Sequence, residues 1–140
     1  MALFALDTDI ASLYLHGQPA VVAQVIGQIE DTVAVPIVTA QELLAGWLPV
    51  LTRPQDSDRL AQAYGEFRRT LDFLADFPLL DFDLTAGEHF ERLRQQYRRL
   101  GTNDLRIAAI VLATGATLVT RNTVDFSAIA NLSLADWSQD

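Results

Sequence analysis

Short apolar runs alternate with longer amphipathic stretches along the chain, a pattern typical of α/β proteins. The apolar runs are 3–6, 33–38, 79–82, 116–120 and 132–137, and each is short enough for one strand. The last of them is typical of an edge strand. The stretches between them carry apolar residues at helical spacing. We therefore predict a three-layer α/β/α sandwich around a mainly parallel sheet, formed by residues 1–140 as a single domain.

The amphipathic stretches predict six helices, at about 10–15, 20–29, 39–47, 56–77, 83–100 and 104–114. The two longest, 56–77 and 83–100, carry stripes of large apolar residues. We expect them to pack together as a helical hairpin and to leave apolar surface for a partner. Pro36 predicts an edge position or a bulge for the second strand. Pro49 indicates a loop after the third helix, and 121–125 is predicted to be a loop as well.

Composition excludes several kinds of chemistry. The 140 residues include no cysteine, which excludes disulfides, thiolate zinc sites and cysteine nucleophiles. All ten basic residues are arginine, so reactions that need a lysine are excluded too. There is no run of about 18 apolar residues and no basic start of a signal peptide, so we expect a cytoplasmic protein with no membrane association.

The net charge is −8, because eighteen acidic residues outnumber ten arginines. Such acidity argues against broad electrostatic binding of nucleic acid. It does not argue against a metal-dependent nuclease, since a cluster of carboxylates is itself anionic until it binds a cation. The positions of the acids are therefore more informative than their number.

Four acids are predicted at one edge of the sheet: Asp7 after the first strand, Glu42 in the first turn after the second, Asp104 before the fourth and Asp125 after it. In parallel sheets, binding sites form beyond the carboxyl ends of the strands. Carboxylate oxygens are hard ligands that suit Mg²⁺ or Mn²⁺. Such ions can promote phosphodiester cleavage. The pattern predicts a divalent-cation site at this edge of the sheet.

Each acid also has a purely structural interpretation. Thr39 and Glu42 have the spacing of a capping box, in which Glu42 would accept a backbone N–H. Asp104, in a first helical turn, would complement the helix dipole. Asp7 and Asp125 would be cap or loop acids, with the helix after Asp7 capped by Thr8 or Asp9. The coincidence of four acids at one edge favours the site.

Four segments of the chain resemble a PIN domain, specifically a VapC-type toxin ribonuclease of bacterial toxin–antitoxin pairs. They are LDTDI at 6–10, TAQEL at 39–43, NDLRIAAIVLATGATLVTRNTVDF at 103–126 and LADW at 134–137. The first two are weak signals alone, whereas the third is strong. The resemblance implies an Mg²⁺-dependent endoribonuclease, with Mn²⁺ able to substitute and tRNA or another structured RNA as substrate. It also implies a cognate antitoxin partner and a homodimer.

The resemblance implies that Asp7, Glu42, Asp104 and Asp125 have the catalytic and metal-binding roles. Some relatives have an aspartate where this chain has Asn122, so the fourth acidic role is assigned to Asp125. Supporting roles around the acids are assigned to Asp9, Thr120 and Asn122.

Three arginines near the predicted site are candidates for RNA phosphates: Arg99, Arg106 and Arg121. Arginine binds phosphate oxygens through two parallel N–H donors, which makes it suited to this task.

Two other classes fit part of the pattern. A strand followed by Asp7 and Asp9 also opens phosphatases of the haloacid dehalogenase type, with Asp7 as nucleophile and Asp9 as acid. That family needs a downstream lysine, which this chain lacks. A non-catalytic PIN-like binding module is the second alternative, and the presence of all four acids argues against it. Metal-dependent cleavage of a labelled RNA separates these possibilities.

Overall fold

The sheet contains five short strands that all run in the same direction. The computed structural model describes residues 1–139, and its strands are β1 (Leu3–Leu6), β2 (Thr32–Pro36), β3 (Leu79–Leu80), β4 (Thr117–Val119) and β5 (Ser133–Ala135). Their spatial order is β3-β2-β1-β4-β5. The chain therefore begins at the centre, builds outward to β3, and crosses back to β4. The strand order reverses between β1 and β4, which is where parallel sheets of this kind form their binding crevice.

Helices cover both faces of this sheet. They are α1 (Thr8–Leu15), α2 (Pro19–Gly27), α3 (Ile37–Thr52), α4 (Ser57–Asp76), α5 (Leu84–Gln96), α6 (Thr102–Thr114) and α7 (Thr123–Phe126). Within residues 1–139, none of them is both long and apolar enough to cross a membrane. The predicted α/β/α architecture is confirmed.

Successive side chains of the central strands point alternately to the two faces of the sheet, so the interior is divided into two hydrophobic cores. In β1, Ala5 belongs to the core beneath α5 and α6, whereas its neighbour Leu6 belongs to the core beneath α1 and α4. In β4, Leu118 and Val119 are divided in the same way. Successive strand residues point to opposite faces, so two adjacent apolar residues are buried on both sides at once. This explains why the strands are continuous apolar runs.

The predicted hairpin of the two longest helices is wrong. Helix α4 packs against α3, and α5 packs against α6. The buried face of α4 carries Ala63, Thr70 and Phe73, while two large residues of the same helix, Tyr64 and Leu71, are exposed. An amphipathic pattern shows that a helix has an apolar face, but it does not identify the helix that meets this face.

The prolines of this region also differ from the prediction. Strand β2 is internal, lying between β1 and β3, and Pro36 is its last residue. Pro36 occupies the N-cap of α3, where a missing N–H interrupts neither the sheet nor the helix. Helix α3 therefore starts at Ile37 and continues through Pro49 to Thr52. Pro49 lies within the last turns of this helix, not in a loop, and its missing N–H leaves the Ala45 carbonyl without its usual helical donor.

A buried threonine fixes the start of α3 against the central strand. The hydroxyl of Thr39 donates to the carbonyl oxygen of Leu6 at 2.9 Å, and Thr39 is fully buried. Thr39→Val keeps the shape but leaves that carbonyl without this donor, so the free energy of unfolding should fall by about 1–3 kcal/mol. Urea denaturation measures this change.

The matched control is Thr114→Val. The Thr114 hydroxyl donates to the Ile110 carbonyl at 2.9 Å near the exposed end of α6, so its loss should change stability by no more than about 0.5 kcal/mol. Equal effects of the two substitutions would contradict the anchoring role of Thr39.

Candidate active site

Asp7 directly follows the central strand, at the point where the strand order reverses. Its backbone N–H donates to the Val119 carbonyl of β4 at 2.9 Å. One carboxylate oxygen, Oδ1, accepts the N–H of Thr8 at 2.8 Å, and the other, Oδ2, accepts the hydroxyl of Thr120 at 2.7 Å. Asp7, rather than Thr8 or Asp9, is therefore the N-cap of α1. Its side chain is held in one position between two strand ends.

Burial makes the charge of Asp7 costly. The residue is only 7% exposed. Desolvation raises the pKa of Asp7 to about 6, with further repulsion from Asp9 and Asp104. The hydrogen bonds from Thr120 and Thr8 lower the pKa and offset only part of this effect. Asp7 is thus an anion that its surroundings stabilise incompletely.

Glu42 is brought to Asp7 by helix α3. The hydroxyl of Thr8 donates to Oε1 of Glu42 at 2.6 Å. The capping-box interpretation of Glu42 is wrong, because α3 begins at Ile37 and the Thr39 hydroxyl is used by Leu6. The sequence did not identify Thr8 as a partner of Glu42. The only feature of the sequence that pointed to this role was the position of the Thr8 hydroxyl immediately after the first acid, Asp7.

Asp104 faces three other acids across the edge of the sheet. It lies in the first turn of α6, whose N-cap is Gly101, and it is half-buried. Burial raises the pKa of Asp104, and repulsion from Glu42, Asp125 and Asp9 raises it further, in that order. The fold therefore brings acids from four separate chain segments into one electrostatic environment.

Asp125 lies at the exposed side of this group. Residues Thr123–Phe126 form the short helix α7 instead of the predicted loop, and the fully buried Phe126 anchors it. The preceding Asn122 donates its backbone N–H to the Thr120 hydroxyl oxygen at 3.0 Å, so it supports the group through its backbone. Asp125 reaches Asp104 electrostatically from an exposed position.

Asp9 is turned toward Arg121. Its Oδ1 accepts the N–H of Ile10 at 2.7 Å, and its Oδ2 accepts the backbone N–H of Arg121 at 3.2 Å. The Arg121 guanidinium lies 3.7 Å from the same oxygen. Arg121 is therefore a cation at the edge of the acidic group, and its charge is already paired with Asp9.

The other two candidate arginines lie on either side of the acids. Arg106 is half-buried, with its guanidinium 3.4 Å from Oδ1 of Asn103 and 5.6 Å from the centre of the Phe90 ring. Arg99 is exposed and lines a cleft of about 690 Å³ together with Asp125. All three arginines are thus near the acidic edge.

The donor set fits a hard divalent cation. Its side chains supply only carboxylate and hydroxyl oxygens, which Mg²⁺ and Mn²⁺ prefer. In the part of the chain that the structure describes, no three acidic or histidine side chains converge closely enough to hold an ion together. The acids share a repulsive field without sharing a common coordination point. That field adds to burial in raising the pKa values of Asp7 and Asp104, and it would be relieved by a cation.

Comparison with known proteins identifies the family to which the chain belongs. The family model for the PIN domain matches residues 4–132. The chain belongs to the PIN domain family. A curated relative from Shigella flexneri, the tRNA(fMet)-specific endonuclease VapC, is 29% identical over 143 residues, which cover 99% of this chain and 100% of the relative.

Solved structures match the PIN domain over almost its whole length. VapBC2 from Rickettsia felis, bound to a promoter DNA fragment, contains a chain that matches with a TM-score of 0.78 and 26% identity, covering 96% of this chain and 98% of that one. A toxin–antitoxin complex from Klebsiella pneumoniae matches with a TM-score of 0.69 and 26% identity, covering 98% of each chain. The resemblance to VapC-type PIN domains is confirmed, and the haloacid dehalogenase alternative is excluded.

The raised pKa of Asp7 predicts how metal-free stability changes with pH. Between the unfolded value of 3.8 and the folded value of about 6, the folded protein keeps a proton that the unfolded chain has lost. This contribution to stability is present at low pH and is lost as pH rises through 6. One pKa unit corresponds to about 1.36 kcal/mol, so at neutral pH Asp7→Asn should stabilise the metal-free protein by about 2–3 kcal/mol.

The measurement is denaturant unfolding of both proteins in a chelator, from acidic to neutral pH. The gain from Asp7→Asn should shrink toward pH 4. Asp58→Asn is the control, because Asp58 is an exposed acid in the first turn of α4. A stability difference between Asp7→Asn and wild type that does not change with pH would show that burial of charge at Asp7 is not the cause.

Proposed function

We propose that this PIN domain is an Mg²⁺-dependent endoribonuclease that acts as the toxin of a toxin–antitoxin pair. The observation that carries this proposal is the half-buried Asp104, whose pKa is raised by burial and further by three acids from other chain segments. A fold gains no stability from such repulsion, whereas a bound cation would relieve it. The VapC relative from Shigella flexneri, named as an endonuclease, supports the same activity.

The four acids have distinct roles in this proposal. Asp7 and Asp104 are the principal ligands of Mg²⁺ or Mn²⁺, and Glu42 and Asp125 complete the anionic set. When bound, the cation supplies positive charge to the phosphodiester group and acidifies water. Asp125, the most exposed of the four, lies where solvent and substrate enter.

Hydroxyl groups orient the ligands before any cation binds. Thr120 donates to Asp7, and the backbone N–H of Asn122 in turn donates to Thr120. Thr8 donates to Glu42. Each bond fixes the direction of a carboxylate, so fewer side-chain rotations are lost when an ion or a phosphate arrives. Such supporting contacts commonly change metal affinity by about 10- to 100-fold.

RNA is the proposed substrate, with tRNA or another structured RNA as the class. The Shigella flexneri relative, a tRNA(fMet)-specific endonuclease, supports this class. Arg99 and Arg106 would bind phosphates on either side of the acids, and Arg121 would exchange its pairing with Asp9 for a phosphate. These local contacts are needed because the overall charge of −8 opposes RNA binding.

A protein antitoxin and a second copy of the chain are the proposed partners. The Klebsiella pneumoniae toxin–antitoxin complex supports the antitoxin. A cleft of about 310 Å³ between α1, α3 and α4 contains Leu15, Trp47 and Val50 as well as Glu42. An apolar helix of the antitoxin laid in this cleft would also reach the acidic edge.

The sharpest test of the activity is Asp104→Asn. The change keeps the size of the side chain and removes one charge, so the metal-free protein should remain folded and keep or gain stability. Cleavage of RNA should fall by about 100-fold or more, since small errors in positioning have effects of this size. It should fail with Mg²⁺ and with Mn²⁺ alike. The assay is cleavage of labelled cellular RNA, together with bacterial growth during expression.

Asp58→Asn is again the matched control, because it removes the same charge from the first turn of another helix. It should cleave like the wild type. A folded Asp104→Asn variant with near-wild-type cleavage would refute the four-acid site. A wild-type protein that binds RNA but never cleaves it would instead support the non-catalytic binding module.

The homodimer has its own test. Tyr64 and Leu71 lie two turns apart on the exposed face of α4. If this face is buried in the dimer, Leu71→Arg should weaken association by about 10- to 100-fold, since burial of such a side chain contributes about 1.5–3 kcal/mol. Sedimentation measures the change, with the exposed Ile29→Arg as control. A chain that remains monomeric at high micromolar concentration would remove the dimer.

A further inference from the structure

A second groove lies beside the acidic edge and has a different character. It runs between α3, α5 and α6 and has a volume of about 500 Å³, within the range of roughly 300–1,000 Å³ found for small-ligand pockets. Its apolar lining comes from Ile37, Val38, Phe82 and Phe90. Phe82 is 38% exposed, and its ring meets that of Phe90 edge-to-face with centres 6.0 Å apart. Two aromatic rings are thus held together at an accessible surface.

The groove also contains a cation without a counter-ion. Within residues 1–139, Arg106 forms no salt bridge; its guanidinium donates to the Asn103 side chain and lies over the Phe90 ring. The acid of the groove, Glu91, is already bound by Arg94 at 2.8 Å. Because Arg106 is half-buried, its unneutralised charge favours an anionic group at this place.

The groove lies at the same edge of the sheet as the acids, because Ile37 directly follows β2 and Phe82 lies two residues beyond β3. Gln41 of its lining precedes Glu42 in α3, and Arg106 follows Asp104 by two residues in α6. The two helices that carry these acids therefore also form one wall of the groove. An RNA strand lying along this edge of the sheet would pass both the acids and the rings of Phe82 and Phe90.

We propose that this groove binds one unpaired nucleobase of the RNA, stacked on the exposed Phe82 ring beside Phe90, with Arg106 on its phosphate. The inference rests on the proposed ribonuclease function and narrows its substrate class to RNA with an unstacked base next to the cleaved bond. Aromatic rings bind such bases by stacking, and a base inside a duplex is not accessible to them. The pairing of aromatic rings with an unneutralised arginine favours a nucleotide over an apolar peptide side chain, which would leave Arg106 unpaired.

The test measures RNA binding in a chelator, so that it does not depend on cleavage. A short single-stranded RNA carries the fluorescent base 2-aminopurine at successive positions. At one position the wild-type protein should quench the fluorescence, and annealing the complementary strand should weaken binding. Phe82→Ser should abolish the quenching and weaken binding by about 5- to 100-fold, as expected for loss of one stacked base. Arg106→Gln should weaken binding without abolishing the quenching.

Leu84→Ser is the matched control. Leu84 is 89% exposed and does not line the groove, so its loss should leave binding and quenching unchanged. Quenching at no position, or Phe82→Ser binding as tightly as wild type, would overturn the nucleobase site. So would a Phe82→Ser variant that loses binding to an antitoxin protein but not to RNA. Quenching by a wild-type protein that never cleaves RNA would support the nucleobase site and refute the nuclease.

Discussion

The charge of a buried carboxylate at the end of the central strand is the constraint on which the rest of the site depends. Asp7 cannot move away from this position, because it caps α1 and accepts the Thr120 hydroxyl across the gap between β1 and β4. Its surroundings raise its pKa instead of neutralising its charge. Every other acid at this edge adds to the same negative field, and the chain has no lysine to reduce it. A cation is the simplest partner for such a field.

The hydrophobic cores and the acidic edge are consequences of the same strands. Leu6 and Val119 are buried among apolar side chains, and the residues that follow them, Asp7 and Thr120, are buried polar residues just beyond the carboxyl ends of β1 and β4. The packing that stabilises the sheet therefore also holds the site in place. Thr39 extends this coupling to α3 through its bond to the Leu6 carbonyl, and so positions Glu42.

The architecture and the grouping of the acids at one edge of the sheet were predictable from the sequence because both depend on local patterns. Apolar runs of strand length defined the sheet, and acids at their ends predicted a common edge. Details that depend on long-range packing were not predictable. Pro36 suggested an edge strand, but it ends an internal strand and moves the start of α3, which removed the capping box expected for Glu42. The partners of α4 and α5, and the bond from Thr8 to Glu42, exist only once the helices have been placed.

Calorimetric titration with Mn²⁺ at neutral pH tests the four-acid cation site most directly. Wild-type protein should bind the ion saturably, and Asp7→Asn and Asp104→Asn should each weaken binding by about tenfold or more, as loss of even a supporting group does. Asp58→Asn should bind like the wild type. Absence of saturable Mn²⁺ binding by the folded wild-type protein, or equal binding by all four proteins, would contradict a cation site at this edge of the sheet.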